Sequence, residues 1–159
     1  MVVTVTRRIM TLLACTVAVF AAACSSSSAS IPPPHAVDKT AAINAGDGVC
    51  KALSADHQKL VNDFKSKHPQ ATTDDARDFL VNVLSPRIER SVGDFHRIGE
   101  PTKDKQDWDK LVSNLDQDLT DFKAKISTDP LGLLAAKPFA IDAPKFDAYG
   151  FKVCGKELA

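Results

Sequence analysis

Residues 108–126 read WDKLVSNLDQDLTDFKAKI. Trp108, Val112, Leu115, Leu119, Phe122 and Ile126 follow one another at alternating steps of four and three. Side chains at that spacing share one face of an α-helix, because 3.6 residues make a turn. Between them lie Asp and Lys at positions expected to be exposed. The stretch therefore predicts an amphipathic helix with one seam buried against neighbours, the pattern of a bundle helix. The repeat is too short for a long coiled coil, so its partners are expected within the same chain.

Two more segments carry the same period. Cys50, Leu53, His57, Leu60 and Phe64 recur at steps of three and four, with Val61 beside them. They predict a helix over about Gly48 to Lys67, ended by His68-Pro69. An earlier run, His35 to Ala45, also has helical character. Asn44-Ala45-Gly46-Asp47-Gly48 reads as its interruption, a turn with Asp47 as the cap of the following helix. As a calcium loop this stretch lacks the spaced carboxylates and distal Glu. His57 lies on the apolar stripe: a ligand or pH-sensing group in one reading, a hydrogen-bonded core histidine in the other.

Thr72-Thr73-Asp74-Asp75 is a capping cluster that opens the next helix. Its apolar face runs from Ala76 through Phe79, Leu80, Val83, Leu84 and Ile88 to Val92, Phe95 and Ile98. Pro86 should kink it or restart it with Ser85 as cap. Gly99-Glu100-Pro101 closes it. Arg87, Arg90 and Arg97 read as a solvated face. So do Asp107, Asp109, Asp116, Asp118 and Asp121, which scatter around their helix. Asp129-Pro130 begins a short apolar helix, in the cap-then-proline order. In the tail, Asp142 is a candidate cap and Gly150 a candidate left-handed terminus. Val153 and Cys154 would then run back against the first helix. The expected fold class is all-α: a small bundle of three to four main helices with short C-terminal helical segments.

The N-terminal region reads as an address. Arg7 and Arg8 precede an uncharged run, Ile9 to Ala23, that is shorter than the roughly 20 residues a bilayer requires. It has the form of an export signal. Ala21-Ala22-Ala23-Cys24 resembles a bacterial lipobox, with Ala21 where Leu is usual. In such a motif the Cys24 sulfur carries a diacylglycerol and becomes the first residue of the mature chain. Leu12-Leu13-Ala14-Cys15 matches locally but leaves an apolar core of only about three residues. The other reading is a periplasmic or secreted protein cleaved nearby. Residues 24–35, with Ser25 to Ser30 and Pro32-Pro33-Pro34, would be a flexible-then-stiff tether. Residues 36–159 would form the helical domain.

Removing residues 1–23 leaves 18 basic and 20 acidic side chains, interspersed. That balance argues against a nucleic-acid surface. Cys15 leaves with the signal and Cys24 takes the lipid. Cys50 and Cys154 remain, and outside the cytoplasm such a pair is expected to form a disulfide. The alternatives are two buried thiols or a metal site. The latter is disfavoured because neither Cys has a His nearby in sequence, and there is no Cys-x-x-Cys. Gly-x-Ser-x-Gly, Ser-x-x-Lys, His-Glu-x-x-His and phosphate-loop motifs are absent. No enzyme, metal or cofactor is expected.

The lipobox, Ser-rich tether, early Cys50 and terminal Tyr149-Gly150-Phe151-Lys152-Val153-Cys154-Gly155 together resemble small lipoproteins and secreted proteins of actinobacteria, mycobacteria included. The resemblance implies a cell-envelope protein with a disulfide-closed helical domain. It supplies no active site. Two functions follow as expectations. One is a binding or interaction module on the extracytoplasmic face of the cell membrane, with an envelope protein, lipid or glycan as partner. The other is a carrier whose helices part around an apolar ligand, lined by Phe139, Ile141, Phe146 and Phe151. A continuous apolar cavity above roughly 300 Å³ would favour the carrier; a filled core would favour the module.

Overall fold

The computed structural model describes residues 36–137 and 139–157. The expected signal, tether and Cys24 lie outside the described residues. Helix α1 spans Lys39–Lys67, α2 Thr73–Phe79, α3 Ser85–Arg97, α4 Lys105–Ile126 and α5 Pro130–Ala135. A 3₁₀ turn at Ala140–Asp142 leads into α6, Ala143–Tyr149, and α7, Cys154–Glu157. The described residues contain no strand, and Cys50 and Cys154 form a disulfide, so the fold is the expected all-α bundle. Val37 makes the one isolated bridge described, to Pro101, through Val37 N–H to Glu100 O and Thr102 N–H to Val37 O.

α1 corrects the sequence reading. It begins nine residues earlier than expected, at Lys39, with Asp38 Oδ1 accepting the Ala41 N–H at 2.8 Å. Gly46, Asp47 and Gly48 lie inside the helix. The local preference for a turn is overridden by what the helix packs against. At Gly46 the bare backbone lets the rings of Phe95 and Phe151 close in, where a methyl group would overlap them. Asp47 caps a helix start, but not its own: Oδ1 accepts the N–H groups of Val153 (2.8 Å) and Cys154 (3.0 Å), and Oδ2 that of Lys152 (3.0 Å).

At α2 the capping cluster behaves as read. Thr72 Oγ1 accepts the Asp75 N–H while Asp75 Oδ2 accepts the Thr72 N–H, a reciprocal capping box. Pro86 does not restart the chain with Ser85 as cap. A π-turn, Leu80–Leu84, runs without a break into α3, and Ser85 is itself helical. A proline lacks an N–H and its ring crowds the carbonyl four residues back. One wider turn absorbs that conflict. It also keeps Leu80, Leu84 and Ile88 fully buried.

The core joins these helices. Phe64 of α1 stacks on Phe79 of α2, with ring centroids 4.5 Å apart. Phe95, Trp108, Phe146, Tyr149 and Phe151 form an aromatic cluster, Phe146 meeting Phe151 edge-on at 5.1 Å. Of the four tail residues read as a possible cavity lining, Phe146 and Phe151 thus fill the core, while Ile141 stands out at 75% exposure. Trp108, Val112, Leu115 and Ile126 are buried as the opening stretch predicts, with Leu119 and Phe122 packed against them. Gly150 ends α6 in the left-handed conformation (φ 112°).

Asp47→Ala strands three backbone donors and is expected to cost about 2 kcal/mol, lowering Tm by roughly 6–10 °C. Asp47→Asn, which keeps one acceptor oxygen, should lose less. Thermal unfolding of the oxidised protein checks both, and equal Tm values for all three proteins would contradict the cap.

Candidate ligand pocket

An open pocket of about 220 Å³ lies where α1, α4 and α5 meet the turn before α6. His57 comes from α1, and Asp118, Asp121, Phe122 and Lys125 from α4. Leu133 and Lys137 come from the α5 region, and Phe139 and Ile141 from the turn. Phe139 holds a left-handed backbone (φ 61°) that a non-glycine residue rarely adopts. Its side chain is nonetheless buried, so packing sets the backbone there.

His57 is only 9% exposed, and its Nε2 has no hydrogen-bond partner among the described residues. The sequence offered two readings, a ligand group or a hydrogen-bonded core residue. At Nε2 the second does not hold. Burial, then the charges of Lys65 and Lys137, push the imidazole below its ordinary value, so it stays neutral.

Asp118 departs from the solvated reading of its helix. Burial, a hydrogen bond to Asp142 and the charge of Asp142 raise it to about 7, with Lys145 pulling the other way. Asp142 is 1% exposed. It sits in the N-cap position of α6, yet its side chain makes no capping bond. Oδ1 instead accepts from Lys145 Nζ at 2.5 Å. Asp118 Oδ2 and Asp142 Oδ2 are both buried, and neither faces a donor. A single proton held between the two carboxyls supplies the donor that both lack, as two close carboxylates cannot both ionise cheaply.

The remaining candidate residues are dispersed. Cys50 and Cys154 are 1% and 0% exposed, joined with Cα atoms 5.1 Å apart. Arg87 pairs with Asp56 at 3.4 Å and Arg97 with Asp94, so these two arginines build no anion site. Among the described residues no group of three or more His, Cys, Asp or Glu side chains is placed to hold a metal. The sequence reading missed the Asp118–Asp142 pair. One signal existed: Asp118 lies two turns after Leu111, hence on the flank that Leu111 buries. Its partner, 24 residues on, had no such mark.

A second open pocket, about 350 Å³, is lined by Lys39, Lys110, Lys145 and Tyr149. The Tyr149 hydroxyl is buried without a partner, and burial plus the charges of Asp104 and Asp107 push it up to about 12. Each of the pocket's lysines is already paired with a carboxylate, Lys39 with Asp104, Lys110 with Asp107 and Lys145 with Asp142. No protein-family model, curated protein or solved structure matches the chain.

The carboxyl pair makes stability depend on pH. In the unfolded chain Asp118 titrates near the ordinary carboxylate value, and in the fold it titrates near 7. The folded state therefore binds the extra proton between about pH 4 and 7, and stability falls as pH rises through that window. Asp118→Asn places a permanent donor against Asp142. It should match the parent near pH 4 and exceed it by roughly 3–5 °C in Tm at pH 8, about 1 kcal/mol after allowing for solvent screening. A Tm difference that does not change with pH would contradict the shared proton.

Proposed function

We propose that this protein is a membrane-anchored binding module of the cell envelope, held on the extracytoplasmic face by a diacylglyceryl group on Cys24. The observation that carries the reading is the disulfide between two fully buried cysteines. Such a crosslink persists in oxidising compartments and is rare in the cytosol. It accords with an export signal upstream and a small-residue run ending at Cys24. No helix among the described residues is long and apolar enough to cross a membrane. A lipid on Cys24 is the attachment that this reading requires. Two acyl chains hold a protein stably where one does not.

The binding role is favoured over catalysis by the missing catalytic motifs and by a core given over to packing. The carrier alternative draws less support. Of the four residues expected to line its cavity, Phe146 and Phe151 are packed edge to face at the centre of the domain, and Phe139 and Ile141 line an open pocket of only about 220 Å³.

Fractionation of cells expressing the parent and Cys24→Ala tests the anchor. The parent should sediment with membranes and the variant should appear in the soluble fraction. Retention of the variant on membranes would contradict the anchor. Alkylation of the denatured, unreduced parent should leave Cys50 and Cys154 unmodified; labelling of both would remove the argument from compartment.

A further inference from the structure

Two pieces of chain form facing walls of the His57 pocket. α4 contributes Asp118, Asp121, Phe122 and Lys125, and the turn before α6 contributes Phe139, Ala140 and Ile141. Ala140 and Ile141 are exposed, so only Phe139 and Asp142 reach inward from that turn. Its described backbone hydrogen bonds are local: Ala140 N–H to Lys137 O at 3.4 Å, and Asp142 N–H to Phe139 O at 2.9 Å. Neither crosses to α4. The left-handed backbone at Phe139 costs energy that the surrounding contacts must offset. Those contacts are the buried Phe139 ring and the meeting of Asp142 with Asp118. Each carboxyl there has a buried Oδ2 with no donor. The charged neighbours do not supply one. Lys145 of α6 is bonded to Asp142 Oδ1, and Asp121 of α4 adds negative charge. His57 from α1, Lys125 and Lys137 stand on the same pocket wall, and α5 carries no charge.

We propose that the proton shared by Asp118 and Asp142 is a latch: it holds the Phe139–Asp142 turn against α4, and its loss lets the turn lift and the pocket widen. With the proton, the two carboxyls are joined by a hydrogen bond; without it, two negative charges oppose each other across a buried contact. The movement stays in the turn because α6 is held separately. Phe146 and Tyr149 are buried in the aromatic cluster, and the disulfide secures the chain beyond them. Opening releases the proton. By linkage it therefore grows as pH rises from about 4 to about 7 and levels off above that. The inference rests on the reading of the protein as a binding module in one respect, that the pocket takes a ligand. The latch then makes that pocket more accessible in neutral than in acid surroundings.

Native-state hydrogen exchange of the oxidised full chain, read by NMR at pH 5 and pH 8, tests the latch. The Asp142 N–H bonds to Phe139 O and the Ala143 N–H to Ala140 O, so both amides report on the turn. Their protection factors should lie below that of Leu115 in the core and fall about five-fold from pH 5 to pH 8, allowing for solvent screening. That exchange should also be insensitive to low guanidinium, the mark of a local opening, whereas Leu115 follows global unfolding. In Asp118→Asn, where the amide is a permanent donor, the protection of Asp142 and Ala143 should not change with pH. Protection that is constant with pH in the parent would overturn the proposal. So would an equal fall in Asp118→Asn, or exchange of the two amides only together with Leu115. The parent measurement stands even if the variant fails to fold. No ligand and no membrane enter the experiment, so its failure is distinct from retention of Cys24→Ala on membranes.

Discussion

The carboxylate of Asp47 holds the two ends of the domain together. It takes three consecutive backbone donors, from Lys152, Val153 and Cys154, across more than a hundred residues of sequence. Bonds from N–H groups to an ionised carboxylate are stronger than neutral ones, and here they also stop the start of α7 from being left unsatisfied. One turn further along α1, Cys50 is crosslinked to Cys154. The disulfide restrains the unfolded chain, and for a loop near 100 residues the idealised effect approaches 4.7 kcal/mol. The carboxylate acts on the folded state. Together they fix both the register and the persistence of the contact.

That contact sets the core. With Cys154 pinned to α1, Phe151 is brought over Gly46 and into the ring cluster of Phe95, Trp108, Phe146 and Tyr149. A small domain of this kind has limited apolar area to bury, and large aromatics packed at offset and edge-on angles contribute more per residue than aliphatic groups. Surface ion pairs such as Lys123–Glu89 and Arg87–Asp56 bridge the helices but are half exposed, so they add little.

The bundle was legible because periodicity reports a local fact: which face of a helix lacks polar groups. The stripe from Trp108 to Ile126, the Thr72 capping box, Asp129 before Pro130 and Gly150 after α6 all follow from neighbours within a few residues. Asn44 to Gly48 was misread for the same reason. Two glycines and an Asp favour a turn locally, and only the returning tail makes a helix the better solution there. Ser85-Pro86 likewise hid a π-turn that burial of Leu80 and Leu84 selects. The pocket was half legible. His57 stood out on its stripe, whereas the pairing of Asp118 with Asp142 depends on how α6 meets α4, which no spacing encodes.

The pocket and the staple lie on one architecture. α1 supplies Asp47 and Cys50 to the tail on one turn and His57 to the pocket two turns later, so the helix that the tail secures is also the one that presents the imidazole. Native-state hydrogen exchange of the oxidised protein tests this account most directly. The amides of Lys152, Val153 and Cys154 should exchange as slowly as those of Leu53 and Leu115 in the core. Exchange at the rate of an exposed terminus would mean that Asp47 does not hold the tail, and that the fold is organised from elsewhere.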